Sequence, residues 1–376
     1  MEKTAKILKK PITSTIIAIV CGFAVAAIVL AAAGYNPSAA FGALFSGIFS
    51  KPKYISNVII KATPITLTAL SVAFAYKVGL FNIGAEGQYI IGAVAANLVG
   101  YLCNFPPIIQ IPLVVLSGVA AGALWGGIIG FLKAKFGIHE VLTSIMFNWI
   151  AFYISNWVVS SARFHEPNST AAYPVNPSSY TMLLPNWKTS DAGLAVLKGH
   201  KALREVLLKT DVNFGFVIAI AAAVFVWMLL YRSTKGYELR AVGLNRDAAE
   251  FAGISVNKNI IITMLIAGAL SGLAASMVIT GTDPHRISTL SAFENNGFNG
   301  LSVAFIAGSS PIGCIFAGLL FGGLLYGGQS IQANIGAPSE IINIMIGTIV
   351  FFVALTAVIP KLAVRLEKRG MHNAAK

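Results

Sequence analysis

Long apolar stretches recur along the whole chain and restrict it to one class of fold. Of its 376 residues, 56% are hydrophobic and 11% are charged, whereas soluble domains carry roughly 25% charged residues. Several stretches approach the roughly 20 apolar residues with which a helix crosses a bilayer. The sequence therefore predicts an all-α polytopic membrane protein.

Ten membrane spans fit this pattern, and an even number places both ends of the chain on the same side. The predicted spans run at about 15–34, 55–76, 82–102, 108–132, 141–161, 212–231, 259–280, 297–309, 312–329 and 341–360. The segment at 297–309 is short, so it also fits half of a broken helix. We expect a multi-pass protein with both termini in the cytoplasm.

The basic residues agree with this orientation, because on this count they gather on one side of the membrane. Cytoplasmic segments next to spans carry an excess of Lys and Arg. The clusters are Lys3, Lys6, Lys9 and Lys10; Lys133 and Lys135; Arg232, Lys235, Arg240, Arg246 and Lys258; and Lys361, Arg365, Lys368 and Arg369. Topology thus explains the net charge of +13. Since no basic run has the interleaved aromatic residues of a stacking platform, the expected partners include membrane lipids and no nucleic acid.

Two polar segments interrupt the single transmembrane domain predicted for residues 1–376. The segment 163–211 holds four prolines and a short helical pattern at 192–208, and the span count places it outside. It caps the outer mouth, meets an extracellular partner, or is a solvated insertion without a role. The segment 235–258 falls in the cytoplasm, and its Ala-rich, mixed-charge pattern is typical of a helix that docks a cytosolic partner. The candidate docking residues are Arg240, Asn245, Arg246, Asp247, Glu250 and Gly253.

No motif for catalysis occurs in the sequence. The phosphate-binding loop of ATPases requires a Gly-Lys step, which this chain does not contain. Cys21, Cys103 and Cys314 are far apart and lack metal-ligand spacing. We therefore expect a protein that is not an enzyme and that holds no metal and no cofactor. If ATP drives its activity, another subunit hydrolyses it.

The segment 77–89 is the strongest candidate for handling a solute. Its glycines interrupt helix geometry, and its polar and aromatic side chains offer hydrogen bonds and flat apolar faces. An ionised Glu86 exposed to lipid would cost about 2.5–3.5 kcal/mol or more, so it should face a cavity, pair with a neighbour or lie near the interface. The alternative is that these side chains only fasten neighbouring helices together. The candidate path residues are Phe81, Asn82, Glu86, Gln88 and Tyr89, with Asn148 and Asn299 in other spans.

Glycine spacing and a short repeated motif give two further expectations. Small residues let helices approach closely in lipid, so we expect tight packing from the glycines between 118 and 130 and between 313 and 328. The motif Phe81-Asn82-Ile83-Gly84 is echoed by Phe298-Asn299-Gly300, each near the start of a span. Transporters built from inverted repeats place interrupted helices at corresponding positions, and this echo predicts inverted repeats and broken helices.

Two segments resemble the permease subunits of bacterial ABC importers for nucleosides, simple sugars and branched-chain amino acids. The first, residues 79–88, reads Gly-Leu-Phe-Asn-Ile-Gly-Ala-Glu-Gly-Gln, and the second is residues 240–254. The amino-acid sequence of the first segment and the length of the outer loop most resemble the nucleoside branch of this family. The resemblance implies a permease in the bacterial plasma membrane that works by alternating access, with the second segment docking a cytosolic ATPase. The other partners implied are a second, homologous permease and an extracellular substrate-binding lipoprotein.

Three alternatives stay open on the sequence. The chain could be a permease for simple sugars or other small polar solutes of the same family. It could be an ion-coupled secondary transporter, although Glu86 is the one carboxylate that stands out within the predicted spans. It could also be a scaffolding membrane protein in which the polar groups and glycines only pack helices.

Overall fold

The structure is a computed structural model, and it describes residues 11–355. The predicted basic clusters at residues 3–10 and 361–369, and the end of the tenth predicted span, lie outside the described residues. Within 11–355 the chain forms helices and three isolated β-bridges. This confirms the predicted all-α class.

Fifteen α-helices follow one another along the described residues. They are α1 (Pro11–Ala32), α2 (Pro37–Phe49), α3 (Pro52–Lys77), α4 (Ala85–Leu102), α5 (Pro107–Phe136), α6 (Glu140–Ser160), α7 (Asp191–Gly199), α8 (Lys201–Lys209), α9 (Gly215–Arg232), α10 (Thr234–Leu244), α11 (Arg246–Phe251), α12 (Val256–Gly281), α13 (Asn296–Ile306), α14 (Pro311–Ile335) and α15 (Ser339–Ala354). One 3₁₀ turn, Pro177–Ser179, lies between α6 and α7.

The helices do not confirm the count of ten spans. Six of those described are long and apolar enough to cross a bilayer: α3, α5, α6, α9, α12 and α14. At 11 residues, α13 is about 16 Å long, too short for the roughly 30 Å hydrocarbon core, so the segment predicted at 297–309 is a half-length helix. The apolar helix α2 has no counterpart among the predicted spans. The helical pattern at 192–208 forms two helices, because the chain turns at His200 between α7 and α8.

The described residues divide into two compact units, 11–51 with 323–355, and 52–322. In the described part of the smaller unit, α1 packs on α15. A Cβ added to Gly22 of α1 would lie 3.1 Å from the Ile349 Cα, so this glycine permits close helix contact. The Phe23 ring packs against the rings of Phe41 and Phe45 on α2, with centroids 5.3 and 6.0 Å apart.

The large unit, 52–322, is built around α12, which packs against α3, α4 and α5. Glycines bring three of these helices together. A Cβ added to Gly122 of α5 would lie 2.9 Å from the Gly272 Cα of α12, and one added to Gly92 of α4 would lie 2.7 Å from that same atom. Close backbone approach of this kind is a source of helix association in lipid. It confirms the packing predicted for the glycines of α5.

One end of the large unit gathers the helix ends around α10 and α11, and we call it the docking end. There the carboxyl ends of α3 and α5 pack on the start of α12 through Ala75, Ile129 and Ile260. The basic residues that fall at this end of their helices are Lys77, Lys133, Lys135, Arg232, Arg246 and Lys258. The structure therefore brings together basic clusters that are far apart in the sequence.

The polar segment 163–211 covers the opposite end of the large unit, which we call the loop end. The Asn176 amide donates to the Gly100 carbonyl at the end of α4 at 3.0 Å. The backbone N–H of Thr181 donates to the Thr280 carbonyl at the end of α12 at 2.9 Å. Since α12 has 26 residues, about 39 Å separate the two ends. The segment is thus bonded to the helix ends, and its position outside the cell stays a prediction.

Candidate functional site

Two interrupted spans meet at their helix N-termini inside the large unit. Helix α4 follows the irregular segment 78–84, and α13 follows the irregular segment 282–295. The contact is direct, because a Cβ added to Gly297 in the first turn of α13 would overlap the backbone of Glu86 in the first turn of α4. We call this contact the α4–α13 junction.

The two helices run in opposite directions from the junction. Helix α4 ends against the loop end, whereas Phe305 of α13 packs on Tyr76, near the end of α3, at 5.5 Å. The short α13 fits the half of a broken helix predicted at 297–309, and the inverted repeats stay a prediction. The echoed motifs differ in register, however, since Phe81–Gly84 precedes α4 and Phe298–Gly300 lies within α13. Asn295 adopts a left-handed conformation with φ 64° and turns the chain into the helix before the second motif.

The junction lies at a level of α3 that we expect the hydrocarbon core to cover. The Thr68 hydroxyl of α3 donates to the Asn296 carbonyl at 2.8 Å, which fixes the level of the α13 N-terminus along α3. Thr68 is about 14 Å from the end of α3 at Lys77 and about 24 Å from its start at Pro52, at 1.5 Å per residue. A hydrocarbon core of roughly 30 Å spanned by α3 therefore includes this level.

The Glu86 carboxylate holds the junction together. It accepts hydrogen bonds from the backbone N–H groups of Asn295 at 2.9 Å and Gly297 at 2.6 Å. These donors belong to a helix N-terminus, where N–H groups lack partners within the helix and the helix dipole favours negative charge. The side chain is fully buried. Of the environments predicted for Glu86, the structure shows pairing with a neighbour, the N-terminus of α13.

A buried amide pair fastens the irregular segment 78–84. Asn82 and Gln88 exchange two hydrogen bonds of 3.0 Å each. The Asn82 amide also donates to the Ser71 hydroxyl at 2.9 Å, which in turn donates to the Ala267 carbonyl at 2.6 Å. Both amide side chains are fully buried. The pair therefore links the segment to α3, α4 and α12.

Asn148 fastens the same region from α6. Its amide oxygen accepts from the Gly87 N–H at 2.8 Å, and its amide nitrogen donates to the Ile83 carbonyl at 3.1 Å. The start of α4 is thus held on three sides by side-chain hydrogen bonds.

The structure gathers the seven predicted path residues around the junction, but most do not face open space. The side chains of five are buried, namely Asn82, Glu86, Gln88, Tyr89 and Asn148. Phe81 and Asn299 are half-buried, and the Phe81 ring stacks on Phe305 at 6.0 Å. A solute that reached the buried amides would have to break their hydrogen bonds with the protein. The contacts in this conformation match the alternative of helix fastening, and a role in the path stays a prediction.

An exposed carboxylate beside the junction was not among the predicted residues. Glu294 precedes α13 by two residues and is exposed, while one of its oxygens accepts from the Asn296 amide at 3.1 Å. It lines a small cleft together with Tyr89, Ser155 and Ser288. The sequence carried a usable signal, an acidic residue within a few positions of a span too short to cross the membrane.

Aromatic side chains adjoin this carboxylate. The ring of Phe293 lies 4.8 Å from Trp149 and 5.3 Å from Phe152, and 5.7 Å from Phe298. Trp149 is 47% exposed, and Tyr153, one turn further along α6, is 64% exposed. Trp149 is nine residues into α6, about 14 Å from its start, so these rings lie at the level of the junction.

At the docking end, α10 and α11 present most of the predicted docking residues to solvent. Asn245, Arg246, Asp247, Glu250 and Gly253 are exposed. The Asn245 side chain caps α11 by accepting from the Ala248 N–H at 3.1 Å. Arg240 is different, because it is half-buried with its guanidinium 5.2 Å from the centre of the Tyr231 ring. Arg240 therefore packs α10 onto the end of α9.

The most exposed apolar side chains of this region were missed by the sequence analysis. Leu244 is 89% exposed and Phe251 is 97% exposed, and they bracket α11. Large apolar residues in a charged segment outside the membrane are a signal of a partner surface. On the inner side of α10, the Lys235 ammonium bonds the Glu238 carboxylate at 2.7 Å and holds the pKa of that carboxyl below its usual range.

The docking end touches the chain that leads to the junction. Gly243, near the end of α10, packs on the turn after α3, where a Cβ added to Gly243 would lie 2.7 Å from both the Lys77 oxygen and the Val78 carbonyl carbon. In that turn Gly79 has φ +74°, and a Cβ on it would lie 3.1 Å from the Gly243 Cα. Backbone thus contacts backbone at this place, which we call the Gly79–Gly243 joint.

The chain is similar in sequence to several known ABC transporter permeases. The guanosine ABC transporter permease protein NupP of Bacillus subtilis is 37% identical over 95% of this chain and 97% of its own length. The nucleoside ABC transporter permease protein NupB of Lactococcus lactis is 37% identical over 95% of this chain and 93% of its own length. The glucose ABC transporter permease protein TsgB13 of Haloferax volcanii is 27% identical over 94% of this chain and 90% of its own length. Residues 54–355 match the model of one family. The chain belongs to the family of branched-chain amino acid transport system permease components.

Proposed function

We propose that this chain is the permease subunit through which nucleosides cross the membrane in an importer driven by a separate ATPase. The observation that carries the proposal is the exposed polar surface at the α4–α13 junction. An ionised carboxylate at this depth in lipid costs about 2.5–3.5 kcal/mol or more, so the surface with Glu294 faces a water-filled path or a second subunit. Interrupted helices that meet inside the membrane are typical of transporter substrate sites.

The names of the relatives support nucleosides as the substrate class. Two relatives that are 37% identical over 95% of this chain are described as guanosine and nucleoside permeases. The glucose permease, at 27% identity, supports the sugar alternative more weakly. A nucleoside combines a flat base with ribose hydroxyls, and the aromatic rings and carboxylate beside the junction suit those two parts.

The docking end is proposed to face the cytoplasm and to receive the ATPase. The grouping of basic residues there supports this orientation, as do the exposed Leu244 and Phe251. Apolar anchors surrounded by charged residues are the usual composition of a protein interface. The ATPase would close on α11 and, through the Gly79–Gly243 joint, displace the turn that leads into the junction.

We propose the remaining partners on the basis of the same arrangement. The loop end, covered by 163–211, is proposed to meet the extracellular substrate-binding lipoprotein. A second, homologous permease would complete the path, because the junction surface of one chain is open on the side of Glu294. The cleft beside Glu294 has room for about one water molecule. A nucleoside therefore requires either a movement of this chain or the surface of the second permease.

Transport by the complete complex tests the proposal. The chain is co-expressed with its companion permease, ATPase and binding protein, reconstituted in proteoliposomes, and offered radiolabelled guanosine or glucose with ATP inside or outside the vesicles. We expect ATP-dependent guanosine uptake. ATP-dependent glucose uptake without guanosine uptake would favour the sugar alternative. Guanosine uptake by this chain alone under an ion gradient would favour an ion-coupled transporter.

Orientation is tested separately in intact cells. In a variant without the native cysteines, a cysteine is introduced at Phe251 or at Lys198 and treated with a membrane-impermeant thiol reagent. Both side chains are exposed, so accessibility depends on the side of the membrane. We expect labelling at position 198 only. Labelling at position 251 from outside would reverse the proposed orientation and refute ATPase docking there.

A further inference from the structure

We infer that Glu294, with the aromatic rings of Phe293 and Trp149, forms the subsite that recognises the ribose and the base of a nucleoside during passage. This inference rests on the proposed function and specifies which side chains bind the substrate. It concerns residues outside both segments that carry the family resemblance.

Glu294 has the chemistry that a ribose requires. A carboxylate is an acceptor with two oxygens, and the vicinal 2′ and 3′ hydroxyls of a ribonucleoside are a pair of donors at matching spacing. One oxygen of Glu294 accepts from the Asn296 amide at 3.1 Å, which orients the carboxylate, while the exposed side chain remains accessible to a solute. Hydrogen bonds to a charged acceptor are stronger than those between neutral groups.

The difference between Glu86 and Glu294 supports this assignment. Both lie at the N-terminus of α13, yet Glu86 is fully buried and accepts two backbone N–H groups. Glu86 is therefore committed to the fold. Glu294 also forms a hydrogen bond with the Tyr89 side chain, but it stays exposed at the level of the junction, where contact of an ionised carboxylate with lipid is costly. A carboxylate kept at such a position is best explained by a polar ligand.

The neighbouring rings supply the second half of the site. Phe293 is adjacent to Glu294 in the chain, and its ring centre lies 4.8 Å from that of Trp149, with an interplanar angle of 62°. This packing holds the Trp149 ring while leaving 47% of the residue exposed. A solvent-accessible indole ring stacks on purine and pyrimidine bases without strong preference among them, because every base has a π-face. We therefore expect the transporter to select nucleosides that carry a ribose and to accept different bases.

Uptake competition in the complete reconstituted transporter tests this inference. Labelled guanosine uptake is measured against unlabelled guanosine, 2′-deoxyguanosine, 3′-deoxyguanosine and guanine, for the parent and for Glu294→Gln. Gln keeps the size of the side chain but replaces one acceptor oxygen with a donor and removes the charge. We expect guanosine uptake at low concentration to fall at least tenfold, and the preference for guanosine over the deoxy compounds to shrink toward one.

Controls separate this effect from misfolding and from selectivity of the binding protein. The binding protein is the same in every sample, so a change in preference arises in the permease. Glu340→Gln removes an exposed carboxylate of α15 and should leave uptake and preference unchanged. Trp149→Leu should weaken uptake of ribo- and deoxynucleosides alike and preserve the preference between them. Co-purification of the ATPase with each variant reports folding and assembly.

The outcomes distinguish the subsite from the proposed function. If the parent transports guanosine and Glu294→Gln retains both uptake and ribose preference, the subsite assignment is wrong while the nucleoside function stands. If Glu294→Gln fails to assemble, Trp149→Leu decides, and unchanged uptake in that variant refutes the subsite. If the parent does not transport guanosine at all, the proposed function itself fails.

Discussion

Replacement of Gly243 by alanine tests whether the docking end acts on the junction through backbone contact. The Gly79–Gly243 joint has no side chain between the two backbones, so any movement of α10 reaches the turn after α3 directly. The added Cβ would lie 2.7 Å from the Lys77 oxygen, whereas ordinary contacts begin at 3.4 Å. The two backbones must therefore separate by about 0.7 Å, the difference between these distances.

The energetic cost of this change is small enough for the protein to fold. Overpacking of a close contact costs about 1–3 kcal/mol. Alanine within a helix is more favourable than glycine by about 0.8–1.0 kcal/mol, and Gly243 lies within α10. The net loss of stability is thus about 0–2 kcal/mol, on the combined estimates. The displacement, rather than unfolding, is the expected consequence.

The assay measures guanosine uptake and ATP hydrolysis in the same proteoliposomes. Coupling between two sites is commonly worth 1–3 kcal/mol, or roughly 5–150-fold. We expect the ratio of uptake to hydrolysis to fall about fivefold or more, the lower end of that range. Gly42→Ala on α2 is the matched control, because a Cβ there meets nothing within 4 Å.

One result would refute this reasoning. If Gly243→Ala assembles normally and keeps the parental ratio of uptake to hydrolysis, force does not pass through the joint. Gly79→Ala approaches the same contact from the other side and adds the cost of a left-handed conformation, about 1–2 kcal/mol. A parental ratio in both variants would exclude the joint as a coupling element.

Four further variants probe the docking end, the amide pair and the loop end. Phe251→Ser should reduce co-purification of the ATPase at least tenfold without changing the melting temperature. The double variant Asp247→Arg with Glu250→Arg should uncouple ATP hydrolysis from uptake. Parental co-purification in the first variant and parental coupling in the second would together reject docking at α11. Asn82→Leu leaves the Gln88 amide unpaired in a buried site and should lower the free energy of unfolding by about 1–3 kcal/mol. Thermal unfolding in detergent measures this loss, and unchanged stability would contradict the fastening role. Burial lowers the pKa of His285 below its ordinary value. The stability that its neutral form gives the fold is therefore complete above the ordinary pKa of about 6.5 and is lost as the pH falls from there through the lower pKa of the folded state. His285→Gln should flatten this acid dependence of the melting temperature in detergent, and an unchanged pH profile would contradict the assignment.

The fold class and the location of the two key segments were predictable from the sequence. Apolar runs of about 20 residues are governed by the bilayer thickness, so α3, α5 and α12 were found with ends correct to a few residues. Glu86 was singled out because an unpaired carboxylate is costly in lipid. The same argument did not reveal its partner, since Asn295 and Gly297 are 209 and 211 positions away.

Other features depend on contacts that no local pattern encodes. Glu294 precedes a left-handed residue, Asn295, and the sequence gives no periodicity for a single turn. Leu244 and Phe251 resemble ordinary apolar residues until the helix ends place them in solvent. The glycines 79 and 243 belong to different segments, and their contact arises from the packing of α10 on the end of α3.

The energetics of the junction bear on whether residues that fasten the fold can also serve the transport that we propose. Side-chain hydrogen bonds between helices in a membrane are worth on average about 0.6 kcal/mol each, and at most about 1.7. The bonds made by Glu86, Asn82, Gln88 and Asn148 together therefore amount to a few kcal/mol. A shift from 1:99 to 99:1 between two conformations requires about 5.5 kcal/mol. The hydrogen bonds of the junction are thus comparable in free energy to such a shift, and we expect the proposed docking of an ATPase to suffice to open it. A core of apolar side chains at the same place would pack the helices but would offer no polar groups to exchange with a passing nucleoside.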